Sequence, residues 1–98
     1  MTDDEIKSLI LRRRLQTLVH SCIYYYFDDN IISDAEWARR ALELEELQKQ
    51  YPKLSKEVKW YEAFKDFDHS TGSNLPITHP WVIGTARYLL DLRDKSNF

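Results

Sequence analysis

The sequence predicts a small all-α domain, and three observations carry that expectation. Apolar residues recur at helical spacing along most of the chain, two capping boxes mark helix starts, and only 2 glycines and 3 prolines interrupt 98 residues. So few turn formers are incompatible with the closely spaced turns of a β-sandwich or barrel. An apolar fraction of 43 %, with 13 % aromatic residues, is enough for a core and excludes a disordered chain. The expected architecture is one domain over residues 1–98: an antiparallel helical hairpin over 1–54, then two further helices over 55–98, four helices in all.

The first helix is expected over residues 3–26. Thr2 followed by Glu5 has the form of a capping box, with acidic residues at the positive end of the helix dipole. Leu11, Leu15, Leu18, Cys22 and Tyr25 form an apolar stripe at spacings of 4, 3, 4 and 3, widened by Ile6, Leu9, Val19 and Tyr26. Asp28-Asp29-Asn30 then invites a turn.

The second helix starts with the cleanest signal in the chain. Ser33 and Glu36 complete a capping box, and Ile32 and Trp37 are spaced for a hydrophobic staple. Trp37, Ala41, Leu44, Leu47 and Tyr51 make the stripe, and Pro52 ends the helix near residue 50. So short a connection demands an antiparallel pair. Charge agrees: residues 6–27 carry four bases and no acid, whereas residues 28–46 carry seven acids and two bases. Folding back near residue 30 brings Arg12, Arg13 and Arg14 level with residues 46–48, where ion pairs with Glu43, Glu45 and Glu46 are expected.

A third helix is expected over 54–66, with Trp60, Phe64 and Phe67 on one face and Val58 and Tyr61 beside it. A polar loop over 66–77 leads to His79-Pro80, where proline suits the first turn of a last helix. Trp81, Thr85, Tyr88 and Leu92 share one face of it, and Val82, Ala86 and Leu89 the adjacent one. Gly84 inside this helix costs about 1 kcal/mol relative to alanine, which suggests close packing there.

Several function classes find no support. A net charge of −2 does not suggest coating of nucleic acid, and a single Cys22 fits a reducing, cytoplasmic setting. No apolar run approaches the ~20 residues of a membrane span, and the acidic start is the reverse of a basic signal peptide. Asp66-Phe67-Asp68-His69-Ser70-Thr71-Gly72 opens like a calcium loop but holds Thr71 where glycine is needed and Ile77 where glutamate is needed. Local hydrogen bonds from Asp and Ser are the expected use of that segment. Cys22, His20, His69 and His79 lack zinc-ligand spacing, so no metal is expected. No nucleophile elbow, Walker loop or other catalytic constellation is present, and the chain is expected not to be an enzyme.

One stretch is more informative. His20-Ser21-Cys22-Ile23-Tyr24-Tyr25-Tyr26-Phe27-Asp28-Asp29-Asn30-Ile31-Ile32-Ser33-Asp34-Ala35-Glu36-Trp37, followed by a Leu/Glu-rich helix to Tyr51-Pro52-Lys53-Leu54, resembles the small N-terminal helical domain of bacterial NAD-dependent DNA ligases. The resemblance runs without a gap over residues 8–54, about half the chain. It implies a domain that closes over the nicotinamide mononucleotide half of NAD, with aromatic rings stacking on the pyridinium and carboxylates accepting from the ribose. The family's binding positions fall on Tyr24, Tyr25, Asp34 and Trp37, the last a tryptophan where the family has tyrosine. A further family aspartate, one turn beyond Asp34, is Ala38 here. The Lys-x-Asp-Gly motif that carries adenylation in the ligases is not found in this sequence, so the resemblance does not extend to ligation.

The resemblance therefore implies a non-catalytic binding module of phage type that acts through a protein partner or self-association. The alternatives are a retained nicotinamide mononucleotide or NAD site at Tyr24, Tyr25, Asp34 and Trp37, and a nucleic-acid contact through Arg12–Arg14, which the acidic balance disfavours.

Overall fold

A computed structural model describes residues 1–70 and 72–96; Thr71, the residue at the glycine position of the rejected calcium loop, lies outside the described residues, as do Asn97 and Phe98. Among the described residues the chain is all-α: α1 (Asp3–Tyr25), α2 (Asp34–Gln50), α3 (Pro52–Lys56), α4 (Tyr61–Phe64), a single 3₁₀ turn (Gly72–Asn74) and α5 (Pro80–Ser96). No described helix is long and apolar enough to cross a membrane.

Both hairpin helices begin as their sequences dictate. The Thr2 hydroxyl accepts from the Glu5 amide, and the Glu5 carboxylate accepts from the Thr2 amide. Ser33 accepts from the Glu36 amide, but Glu36 turns its carboxylate to Arg39 and Arg40 instead of closing the box. α1 ends where Asp28 adopts a left-handed conformation (φ 52°), which aspartate tolerates better than most residues, and Asp29 N–H donates back to the Ile23 carbonyl. Arg14 meets Gln48 late in α2 whereas His20, further along α1, lies near Arg40 earlier in α2, which makes the two helices antiparallel.

The face that α1 buries differs from the one its leucines mark. Ile6, Ile10, Arg14, Thr17, Leu18, Ser21 and Cys22 are buried, while Leu11 and Leu15 are half-buried and Tyr25 and Tyr26 are about half exposed. Three polar residues occupy the true core face, so hydrophobic periodicity alone rotates the prediction. The chief cause is Arg14. Its guanidinium is wholly buried and donates to the carbonyls of Ser55, Val58 and Lys59, to the Ser55 hydroxyl and to Gln48 Oε1, all within 3.1 Å. Burial pulls its pKa down to about 10, so it keeps its charge at neutral pH.

The same contacts correct the expected helix over 54–66. Carbonyls 55, 58 and 59, which a continuous helix would use internally, accept from Arg14, and Trp60 turns left-handed (φ 73°). The segment becomes two short helices, α3 and α4, so the described chain has five helices where four were expected. The arginine run is not a set of ion pairs either. Arg13 alone reaches a glutamate across the hairpin (Glu43, 3.2 Å), Arg12 points to solvent, and Arg14 binds carbonyls.

α5 packs on α1 through Val82, Ala86 and Leu90, leaving Trp81, Tyr88 and Leu92 exposed, so the second of its two apolar faces is the core face. Gly84 lies on the open side: a Cβ there would meet nothing within 4 Å, contrary to the close packing expected. Gly84→Ala should accordingly stabilise the protein by about 1 kcal/mol, read as a higher urea midpoint at unchanged slope. A loss of stability would show that this position needs glycine after all.

Candidate functional site

The turn joining α1 to α2 encloses a cavity of about 190 Å³, and the residues around it come from both helix ends. Tyr24 and Tyr25 descend from the last turn of α1, Asn30, Ile31 and Ile32 form the connecting strand of chain, and Asp34 and Trp37 rise from the first turn of α2. All four residues marked in the sequence thus face one space. Tyr24 and Tyr25 meet edge to face, with ring centroids 4.9 Å apart. Ile32 and Trp37, expected as a staple, are both half-buried walls of this cavity.

Trp37 is also held by the C-terminal half. A Cβ built on Gly72 would stand 2.9 Å from Trp37 Cζ2, 3.1 Å from Cη2 and 3.3 Å from Ser21 Oγ, so the indole rests on bare glycine backbone. α5 holds the turn itself. Arg93 makes a bidentate pair with Asp29 (2.9 and 2.9 Å) and donates to the Asn30 carbonyl (2.8 Å), and the Arg87 guanidinium lies 5.4 Å over the Phe27 ring. The Arg93 hydrogen bonds, with help from the Asn30 amide, hold the Asp29 carboxyl at about 2.

Two wall residues were not singled out by the sequence. Ser21 is fully buried and, among the described residues, its hydroxyl has no hydrogen-bond partner; His20 is half-buried with Nδ1 equally unpartnered there. Burial, and secondarily the nearby Arg40, pulls the His20 pKa below the usual histidine range, so the ring is neutral at pH 7. The signal that could have exposed them was a break in pattern: Thr17, His20 and Ser21 are polar residues at i, i+3 and i+4 of a long helix. The Asp34 carboxylate, by contrast, is exposed and has no hydrogen-bond or ion-pair partner among the described residues. Ala38, one turn beyond Asp34, is also exposed.

Elsewhere, Glu45, Asp68 and His69 bring ligand-type atoms within 4.8 Å of one another, a grouping that spacing along the chain could not reveal. Its carboxylates already have partners: His69 Nδ1 is 3.4 Å from Glu45 Oε2, Lys49 Nζ is 4.0 Å from Glu45 Oε1, and Asp68 accepts from the Ser70 amide and hydroxyl. The Asp68–Ser70 bonds are the local caps expected of that loop. The Cys22 thiol is buried, and burial raises its pKa, which suits inert packing.

Comparison with protein-family models, with curated proteins and with solved structures finds no match to this chain.

Proposed function

We propose that the chain is a non-catalytic binding module whose interhelical cavity takes nicotinamide mononucleotide or the corresponding half of NAD. The observation that carries the reading is the convergence of Tyr24, Tyr25, Asp34 and Trp37 on one space of about 190 Å³. An apolar cavity of ~150 Å³ already admits benzene, so a six-membered ring fits this one. The aromatic walls offer π-faces to a cationic pyridinium, an attraction of about 0.5–2 kcal/mol per well-placed ring. Asp34, without a partner among the described residues, is available to ribose hydroxyls. The similarity of residues 8–54 to the ligase domain points to the same ligand.

The test is calorimetric titration with nicotinamide mononucleotide and with NAD. Saturable heat is expected, with affinity reduced about tenfold or more in Asp34→Ala and increased several-fold in Ala38→Asp, which restores the second carboxylate of the ligases. Absence of heat with millimolar ligand overturns the reading.

A second reading, docking to a protein partner or to another copy of the chain, is favoured by the outer face of α5. Trp81, Tyr88 and Leu92 are 45 %, 63 % and 42 % exposed and lie on one side of the helix. Sedimentation velocity over a wide concentration range separates self-association from a monomer that awaits a partner. A basic stripe for nucleic acid is not favoured, since Arg12 is the one member of the run left to solvent.

A further inference from the structure

We propose that Glu45, Asp68 and His69 bind a zinc ion, in a site that ties the loop after α4 to the later part of α2 and shares no residue with the interhelical cavity. The segment from Asp66 fails as a self-contained calcium loop because Thr71 and Ile77 stand at its glycine and glutamate positions. Folding supplies a ligand from elsewhere. Glu45, 24 residues before His69, meets the loop and brings a third ligand-type atom within 4.8 Å of the other two.

Two features separate this group from an ordinary surface ion pair. The first is a distance. His69 Nδ1 stands 3.4 Å from Glu45 Oε2, well beyond the ~2.7–2.9 Å of a charge-assisted hydrogen bond. Two ligands of a tetrahedral zinc ion, each about 2.0–2.2 Å from the metal, stand about 3.3–3.6 Å apart. The observed separation is that of ligands sharing an ion. Rotation of a carboxylate brings the third atom to the same edge length. The second feature is the burial of Glu45, which is only 9 % exposed. A buried carboxylate needs compensation, and Lys49 gives little of it, being 4.0 Å away on a side chain that is 76 % exposed. A divalent cation against two carboxylates and a neutral imidazole balances the charge locally.

The donor set narrows the ion. Calcium and magnesium take oxygen ligands, whereas an imidazole nitrogen beside carboxylates suits zinc. The Asp68 carboxylate is oriented by the Ser70 amide and hydroxyl, as ligating carboxylates generally are, and these bonds hold its pKa below the usual carboxylate range, in the ionised form that a metal requires. Three protein ligands leave a fourth position for water. His69 is 57 % exposed, which gives the ion a path of entry.

The experiment titrates metal-free protein with zinc, magnesium and calcium chlorides by calorimetry, and repeats the zinc titration on variants. Wild type should bind zinc with one-to-one stoichiometry and at least a hundredfold more tightly than magnesium or calcium. His69→Ala and Glu45→Gln should each weaken zinc binding about a hundredfold, the upper end of what even the hydrogen-bonding supports of a ligand cost. His79→Ala, a histidine outside the group, should bind as wild type does. Zinc at a hundredfold excess over its Kd should raise the thermal midpoint of wild type by at least about 10 °C and leave that of His69→Ala unchanged. Since the His69 side chain is more than half exposed, its removal leaves the core intact, and this variant decides the matter alone if Glu45→Gln fails to fold. No zinc heat at millimolar metal overturns the assignment. So does zinc binding that survives His69→Ala, which would place the ion elsewhere, or equal binding of all three metals, which would reduce the group to a patch of negative charge.

Discussion

Arg14→Met should cost about 3–5 kcal/mol of folding stability, a large share of the ~5–15 kcal/mol that a domain of this size holds. Methionine fills most of the volume but leaves the carbonyls of Val58 and Lys59 without their Arg14 donor, and leaves the Ser55 carbonyl only the longer 3.4 Å bond from the Val58 amide. These are backbone groups, so no substitution can convert them to apolar ones. The usual argument that a buried ion pair is replaceable by hydrophobes therefore does not apply. Gln48 loses a partner too, though it keeps its bond to the Phe64 carbonyl. Arg14→Lys should recover only part of the loss: three donors on one nitrogen cannot span acceptors that the planar guanidinium reaches in several directions. Arg12→Ala, on the exposed side of the same helix, should change stability by less than about 0.5 kcal/mol. Urea denaturation with a shared slope reads all three. A loss below about 1 kcal/mol in Arg14→Met would mean that water or a rearranged α3–α4 segment satisfies the carbonyls, and that the break between those helices has another cause.

The hairpin was legible because its determinants are local. Thr2, Glu5 and Ser33 act within one helical turn, Pro52 both stops α2 and starts α3, and the acidic turn at Asp28–Asn30 reverses the chain. What escaped is non-local. Nothing near Arg14 announces that it will serve carbonyls more than forty residues away, so its run read as ion pairs across the hairpin and residues 54–66 read as one helix. The same blindness rotated the face assigned to α1, since Thr17 and Ser21 occupy buried positions that a hydropathy pattern assigns to solvent. On α5 two apolar stripes lie side by side, and only the partner helix decides which is covered. Gly84 misled for a related reason: glycine signals either tight packing or indifference, and here the space around it is open.

The candidate site divides along the same line. Tyr24, Tyr25, Asp34 and Trp37 could be placed together from the hairpin alone, because their separation along the chain is short and the turn is tight. Its supports could not: Arg93 on the Asp29–Asn30 turn and Gly72 against Trp37 come from the C-terminal part of the chain, more than thirty residues beyond the hairpin turn. That half has a physical role in shaping the cavity, whatever else its exposed α5 face does.

Gly72→Ala tests this role directly. Neither glycine in the described chain has a positive φ, so the constraint at Gly72 is space and not backbone conformation. An added methyl would stand 2.9 Å from Trp37 Cζ2 and 3.1 Å from Cη2, closer than carbon atoms tolerate, with Ser21 Oγ also at 3.3 Å. The indole is a rigid plate anchored in α2, so relief requires its rotation toward the cavity or a shift of the 3₁₀ turn. Overpacking of this kind costs about 1–3 kcal/mol. If Trp37 gives way, the cavity narrows and affinity for nicotinamide mononucleotide should fall tenfold or more, with altered tryptophan emission in the apo protein. The two readouts divide the possibilities. Lost stability with unchanged ligand affinity would place the displacement in the 3₁₀ turn and leave Trp37 fixed. Unchanged stability would mean that the indole does not rest on Gly72, and the C-terminal half would then have no hand in forming the cavity through this contact.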